Sequence, residues 1–535
     1  MDLDDGTGTQ ARFEEYTANL ASVLGHADRE RPFADYCVGL LAAEGRKSVE
    51  PLAAVTAPER TAAQHQSLLH FVAQAPWSDQ AMLRRVRELV MPSITRDEPV
   101  QAWIIDDTGF PKKGRHSVGV ARQYCGQLGK QDNCQVAVSL SVATHQGSLP
   151  VAYRLYLPKD WADDAVRRAI AGVPDDVRFQ TKPEIALQQV REALADSVPP
   201  APMLMDPAYG NDSKLRAGIS ELGLTYVAGI LPTTLVWRPG EAPLPLASRS
   251  GRGRPGKRLR RHETHHPVTA KTLALELAAD AWQQITWRDG SNTPLTSRFA
   301  RWRVRPAHDD ARRSEPAAEE WLLVEWPEGE AEPDHYWLST LPADISLERM
   351  VDQAKMRWRI ERDYLELKQE VGLGHYEGRG WRGFHHHATL CVAAYGFLIS
   401  EKETIPPLRT STHLARHATC PSRRLSTQRI CRCVRNATCR TQSQRCVSAS
   451  RALWRTHCRD VLVADKCVRS PSCGMSDAVG LRKTPTPAGV GDLRETCGRH
   501  GHKWSWPRGW WGCASARTTH TTRRPRCHRL GIGRL

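Results

Sequence analysis

Three residues in one short run have types and spacing suited to chemistry on a charged substrate. Arg357, Glu361 and Lys368 stand at relative positions 0, 4 and 11. On a helix, at about 100° per residue, those offsets fall within roughly 40° of one another. A carboxylate is thus flanked by two cations on one helical face, while Glu366 falls on the opposite side and cannot serve the same site. Two aspartates lie far upstream, each closing a short apolar run: Asp106 after Ile104 and Ile105, and Asp206 after Leu204 and Met205. Hard anionic oxygens drawn together from distant segments suit a divalent-metal site for phosphoryl transfer. Two ions about 3.5–4 Å apart need one bridging carboxylate and at least one more for each ion. Asp106 is expected to bridge, Asp206 to hold one ion and Glu361 the other.

Taken singly, each residue has an ordinary role. An aspartate after a strand commonly closes a turn, and Asp107 rivals Asp106 on the same turn. Asp206-Pro207 reads equally as a turn, and Glu361 with Arg357 as a surface i,i+4 pair worth a few tenths of a kcal/mol. The conjunction is what points to chemistry.

The elements that must position these residues follow from periodicity. Residues 1–97 read as an N-terminal helical domain, for packing or for DNA contact. Phe13, Tyr16, Leu20 and Leu24 recur at helical spacing, and Ser78 caps a helix from Met82 to Met91. Residues 98–234 carry strands at Val100–Ile105, Val136–Ala143 and Val151–Leu157, a helix at Lys182–Val198, a strand at Met203–Asp206, a helix at Asp212–Leu222 and a strand at Thr225–Leu231. Three strands, helix, strand, helix, strand is the layout of a ribonuclease H-like α/β core, a mixed sheet flanked by helices. Residues 235–345 read as a β-rich insertion, with strand-like pieces at Trp282–Trp287, Phe299–Val304, Trp321–Trp326 and His335–Leu341. Residues 346–404 return to helix, complete the core and carry Glu361.

Several patterns are set aside. Gly251 to Gly256 matches GxGxxG, but no strand precedes it and no helix opens on it, so it is not a dinucleotide site. It lies in a basic stretch, Arg252–Arg261, read as a flexible loop that contacts phosphates or is simply solvated. Gly109 to Gly114 lacks the ending of a P-loop. His385, His386 and His387 point in different directions on a helix, which favours a core or DNA-backbone role over ligation of one metal.

The formal charge of +16 misleads about partners. Residues 405–535 hold 26 basic and 5 acidic residues, so the remainder, with 49 basic and 54 acidic, is mildly acidic. The same tail holds 11 of the 15 cysteines, without zinc-knuckle spacing. It is Arg-rich and aperiodic, and is expected to be out-of-frame translation of a GC-rich gene; a basic tail that binds nucleic acid nonspecifically is the other reading. The few cysteines before it suit a reducing compartment. No signal-peptide pattern opens the chain and no apolar run is long enough to span a bilayer, so no membrane role and a cytoplasmic location are expected.

The chain resembles insertion-sequence DDE transposases of the group whose third-carboxylate helix reads Tyr-x₂-Arg-x₃-Glu-x₆-Lys. Arg357, Glu361 and Lys368 match that spacing, while Ala354 stands at the Tyr position. The blocks from Asp106 through Lys112 and Lys113 to Gly114, Asp206 to Gly210, and Gly372 to Arg379 are similar in particular to the insertion sequence 701 branch. The resemblance covers roughly residues 11–405. It implies a transposase that binds the terminal inverted repeats of its element, cuts double-stranded DNA with two Mg²⁺ ions (or Mn²⁺) and joins the freed 3′-hydroxyl to target DNA. It makes Asp106, Asp206 and Glu361 the metal ligands, and Arg357, Lys368, Lys112 and Lys113 contacts to DNA. Synapsis of two ends implies a homodimer, associated with the nucleoid when bound. A relict that binds DNA without catalysis is the alternative, and a metal-dependent nuclease unrelated to transposition a third reading.

Overall fold

The computed structural model describes residues 7–245, 259–288 and 294–404. The 405–535 tail, the GxGxxG match and most of the 252–261 loop lie outside the described residues.

Five helices come first: α1 (Thr7–Ala21), α2 (Glu30–Ala42), α3 (Val49–Thr56), α4 (Thr61–Ala73) and α5 (Asp79–Ile94). Ser78 caps α5, its hydroxyl accepting from the Ala81 N–H at 3.1 Å. The apolar stripes of these helices are buried, with Leu20, Leu68, Val86 and Val90 fully so. They pack around the last helix of the described chain, α14 (Trp381–Thr404). Phe13 meets Phe397 edge-on at 4.9 Å, and the Tyr16 hydroxyl donates to the Ala393 carbonyl at 2.9 Å.

The three histidines open this same helix and are core residues. His386 stacks on Trp77 at 3.6 Å, His387 bonds the Tyr36 hydroxyl at 2.9 Å, and His385 Nε2 accepts from the Leu155 N–H at 3.2 Å. Burial lowers the pKa of all three, to about 4 for His386 and His387.

The middle of the chain builds the sheet. Strands β1 (Ala102–Pro111), β2 (Ala121–Cys125), β3 (Lys130–Ala143) and β4 (Ser148–Leu155) are followed by helices α6 (Lys159–Ala162), α7 (Ala165–Ala171) and α8 (Lys182–Ala195). Then come β5 (Met203–Met205), α9 (Pro207–Gly210), α10 (Ser213–Glu221), β6 (Tyr226–Ile230), β7 (Leu235–Trp237), β8 (Val268–Thr269) and α11 (Ala270–Leu275). Strands β9 (Gln283–Arg288), β10 (Leu295–Pro306), β11 (Glu320–Pro327) and β12 (His335–Ser339) precede α12 (Leu347–Lys355) and α13 (Trp358–Glu366).

The described strands form one twelve-stranded mixed sheet in the order β2-β3-β1-β5-β6-β12-β11-β10-β7-β8, with β4 on β3 and β9 on β10. β3 runs antiparallel to β1, whereas β5 runs parallel to β1 and β6 parallel to β5. Ala102 to Ile105 are fully buried, as a central strand covered on both faces requires. The mixed sheet flanked by helices agrees with the sequence expectation of an α/β fold.

Two differences bear on the site. The apolar run predicts a first strand that ends at Ile105, but β1 continues to Pro111 because β3 keeps pairing with it as far as Cys134. The four strand-like pieces between residues 282 and 341 are strands, and they extend the same sheet: β12 pairs with β6, with Leu338 opposite Ala228. Among the described residues no helix is long and apolar enough to cross a membrane.

Candidate active site

Strand pairing sets the two aspartates side by side. β5 pairs in parallel with β1 through Ile105 opposite Met205 and ends there, so Asp106 and Asp206 are the next residue on each strand. The carboxyl ends of parallel strands, where the pairing opens, are where α/β sheets collect ligands.

Each carboxylate has one oxygen fixed by backbone. Asp106 Oδ1 accepts from the Asp107 N–H at 2.7 Å. Asp206 caps α9, its Oδ1 accepting from the N–H groups of Ala208 at 3.0 Å and Tyr209 at 3.2 Å. Pro207 opens that short helix and suits its first position. Burial pushes the Asp106 pKa up to about 7; the Arg357 charge opposes this, and Asp206 and Asp107 add to it. Burial raises Asp206 as well, again against Arg357. Two half-buried acids that repel each other call for a cation.

In this structure Arg357 provides it. Its guanidinium donates to Asp106 Oδ2 at 2.9 Å and to Glu361 Oε1 at 3.0 Å. Burial works against the arginine charge, but Asp106, Asp206 and Glu361 together hold its pKa above the ordinary value. Arg357 stands just before α13, at the joint with α12. Glu361 lies in the first turn of α13, its side chain 65% exposed, and meets the aspartates through Arg357. Among the described residues no three His, Cys, Asp or Glu side chains stand close enough to hold a metal ion.

Asp107 points elsewhere, because neighbouring residues of a strand face opposite sides of the sheet. It pairs with Lys182 of α8 at 2.8 Å and accepts from the Tyr209 hydroxyl at 3.3 Å. The face of Asp106 is covered by α13, where Tyr364 bonds Ser139, the residue opposite Asp106 on β3. Glu366 pairs with Arg362 at 3.0 Å and accepts from the Tyr395 hydroxyl at 3.3 Å, away from the aspartates.

The remaining cations are partly engaged by backbone. The chain passes from α13 into a π turn, Leu367–Val371, which ends at Gly372 with φ of 84°. Lys368 lies in this turn and donates to the Gly109 carbonyl at 3.0 Å. Burial lowers its pKa to about 8, with Cys125, Asp106 and Asp107 acting in the other direction. π turns are uncommon and frequently mark functional sites. Lys112 donates to the Tyr376 carbonyl at 2.8 Å, and burial lowers its pKa. Lys113 is exposed, in an exposed stretch with Arg115 and His116.

Sequence reasoning misses Lys182, Tyr209 and Gly210 as parts of this site. Tyr209 and Gly210 lie in the motif that follows Asp206, so their signal is adjacent. Lys182 opens α8 as the residue after its cap Thr181, and nothing in its spacing links it to Asp107.

Comparison with known proteins gives the family. A family model described as DDE superfamily endonuclease matches residues 19–294, a span that holds Asp106 and Asp206 but not Glu361. A protein named "Probable transposase for insertion sequence element IS701", from Microchaete diplosiphon, is 30% identical over 194 residues, covering 36% of this chain and 47% of that protein. The chain thus spans about half the length of the curated relative it matches. With more than half of its residues matched by the family model, the chain belongs to the DDE superfamily of endonucleases.

Proposed function

We propose that this protein is a transposase that binds the terminal inverted repeats of an insertion sequence, cleaves DNA with divalent metal and joins the freed 3′-hydroxyl to target DNA. The observation that carries this reading is that Asp106 and Asp206 directly follow the last parallel pair of β1 and β5, with Glu361 tied to Asp106 through Arg357. The set β4-β3-β1-β5-β6, with β3 antiparallel and the last two parallel to β1, supports a ribonuclease H-like core. Residues 235–345, with strands β7 to β12, are then its inserted portion. Joining two element ends in one complex calls for two copies of the chain, hence a homodimer.

The donor set suits Mg²⁺ or Mn²⁺. Asp106 and Asp206 offer hard anionic oxygens, each with one oxygen already fixed by backbone N–H groups. When bound there with Glu361, two such ions would supply activation of the attacking oxygen and stabilisation of the departing 3′-oxygen. The protein's own part is positional. The sheet fixes the two aspartates, and Glu361, exposed on α13, would complete the ligand set. Lys368, Lys112, Lys113 and Arg357 are assigned to DNA phosphates, contacts that position the duplex and do not read its sequence.

The test is metal-dependent cleavage of a duplex carrying the element's terminal repeat. Asp106→Asn, Asp206→Asn and Glu361→Gln are expected to abolish cleavage while end binding survives. Cleavage retained in any of the three removes that residue from the assignment. An unaltered protein that binds the repeat and never cleaves it would mark a relict. Cleavage without a strand-transfer product would mark a nuclease unrelated to transposition.

A further inference from the structure

Arg357 bonds two of the three acids assigned to metal, Asp106 and Glu361. Its two donor groups reach Asp106 at 2.9 Å and Glu361 at 3.0 Å, and its charge is also attracted by Asp206. Asp106 and Glu361 are bridged by the guanidinium, and among the described residues no three such acids form a cluster close enough to hold an ion. The arginine belongs to the joint between α12 and α13, where one helix has ended and the next begins. Its side chain keeps 27% of its surface exposed, so it is within reach of solvent and solutes. Lys368 is not a substitute, since it donates to the Gly109 carbonyl.

Resting on the reading above, we propose that Arg357 competes with divalent ions for Asp106 and Glu361, and that it exchanges these acids for a DNA phosphate when the ions enter. The chemistry favours this exchange. A guanidinium binds a phosphate with the same two-pronged geometry it offers a carboxylate. A positive charge 2.9 Å from Asp106 opposes a second cation there, so the arginine and the metal compete for one oxygen. A phosphate that draws Arg357 away removes that competition. DNA and metal then favour each other's binding by the same factor, as linkage requires. Metal loads onto the protein–DNA complex in preference to the free protein.

The test measures Mn²⁺ binding to the full-length protein by the loss of free-ion electron paramagnetic resonance signal. Without DNA, Arg357→Gln is expected to bind Mn²⁺ roughly tenfold more tightly than the unaltered protein, the scale of one charge-assisted hydrogen bond. A short duplex should tighten Mn²⁺ binding by a similar factor in the unaltered protein and leave the variant unchanged. Equal or weaker Mn²⁺ binding by the variant overturns the proposal, as does an equal effect of the duplex on both proteins. Should thermal melting show that the variant does not fold, the unaltered protein decides: Mn²⁺ affinity that is the same with and without duplex overturns it. Absence of Mn²⁺ binding by both folded proteins overturns the metal-site reading itself, a result distinct from equal binding by both.

Discussion

Gly210→Ala tests how the Asp206 carboxylate is held. Helix α9 lies so close to β6 that a Cβ on Gly210 would stand inside contact distance of the Gly229 carbonyl oxygen and 3.0 Å from Gly229 C and N. These are backbone atoms and cannot rotate away. The approach is reciprocal, since a Cβ on Gly229 would meet Pro207 Cδ at 2.9 Å and Asp206 C at 3.2 Å. Contacts under 3.0 Å are essentially never seen for real Cβ atoms, so α9 would have to withdraw from β6 by about 1 Å. Overpacking of this kind costs about 1–3 kcal/mol. At about 2.1 cal/mol/K per residue over roughly 380 residues, that lowers the melting temperature by about 1–4 °C.

The effect on activity should be larger. The Asp206 carboxylate is bonded to the N–H groups of Ala208 and Tyr209, so it moves with α9. A misplacement of about 1 Å at a reacting centre costs on the order of 100-fold in rate. Gly223→Ala is the control. Gly223 has φ of 76° and open space for 4 Å around the point where a Cβ would stand, so its substitution strains the backbone without displacing α9. Thermal melting and cleavage rates of the two variants are compared. Gly210→Ala should lose about 100-fold in cleavage for a small change in melting temperature, and Gly223→Ala should lose stability alone. Full cleavage by Gly210→Ala, or an equal loss in both, would refute the reasoning.

Two further predictions concern neighbouring acids. Asp363 is buried, accepts from Ser148 at 2.6 Å and Tyr395 at 2.9 Å, and has its pKa pushed up to about 7 by burial. The folded state therefore holds a proton that the unfolded state releases near 3.8, so the stabilisation present below that value is lost as pH rises through about 7. The gap corresponds to on the order of 4 kcal/mol, and Asp363→Asn should make the urea midpoint fall less steeply between these pH values than in the unaltered protein; an unchanged slope counts against it. Asp107→Asn should keep most of the cleavage activity, because Asp107 faces Lys182 of α8; loss as complete as in Asp106→Asn would reverse the choice between them.

The sequence makes the site's ingredients visible more readily than their relations. Asp106 and Asp206 stand out because each closes an apolar run, a local signal. Whether Asp106 or Asp107 faces the site stays open at that level, since strand parity says only that they differ, and which face α13 covers is a tertiary fact. Helical phase separates Glu361 from Glu366, and the two pair with different arginines, Arg357 and Arg362. It does not foresee the π turn at Leu367–Val371, so the true position of Lys368 needs the backbone itself. The pairing of β12 with β6 joins residues more than a hundred positions apart, and short-range periodicity carries no information about it. Resemblance makes Arg357 a phosphate contact, whereas in the structure it bonds the acids. The histidine triplet gives no chemical signal, and its burial against Trp77 and Tyr36 explains why.

The central claim is that Asp106 and Asp206 share a divalent ion, and anomalous scattering from Mn²⁺ in crystals of the protein with a terminal-repeat duplex tests it most directly. An anomalous peak is expected between the two aspartate carboxylates, with the Arg357 guanidinium withdrawn from Asp106. Manganese peaks only elsewhere, with Arg357 still bonded to Asp106 and Glu361, would contradict it.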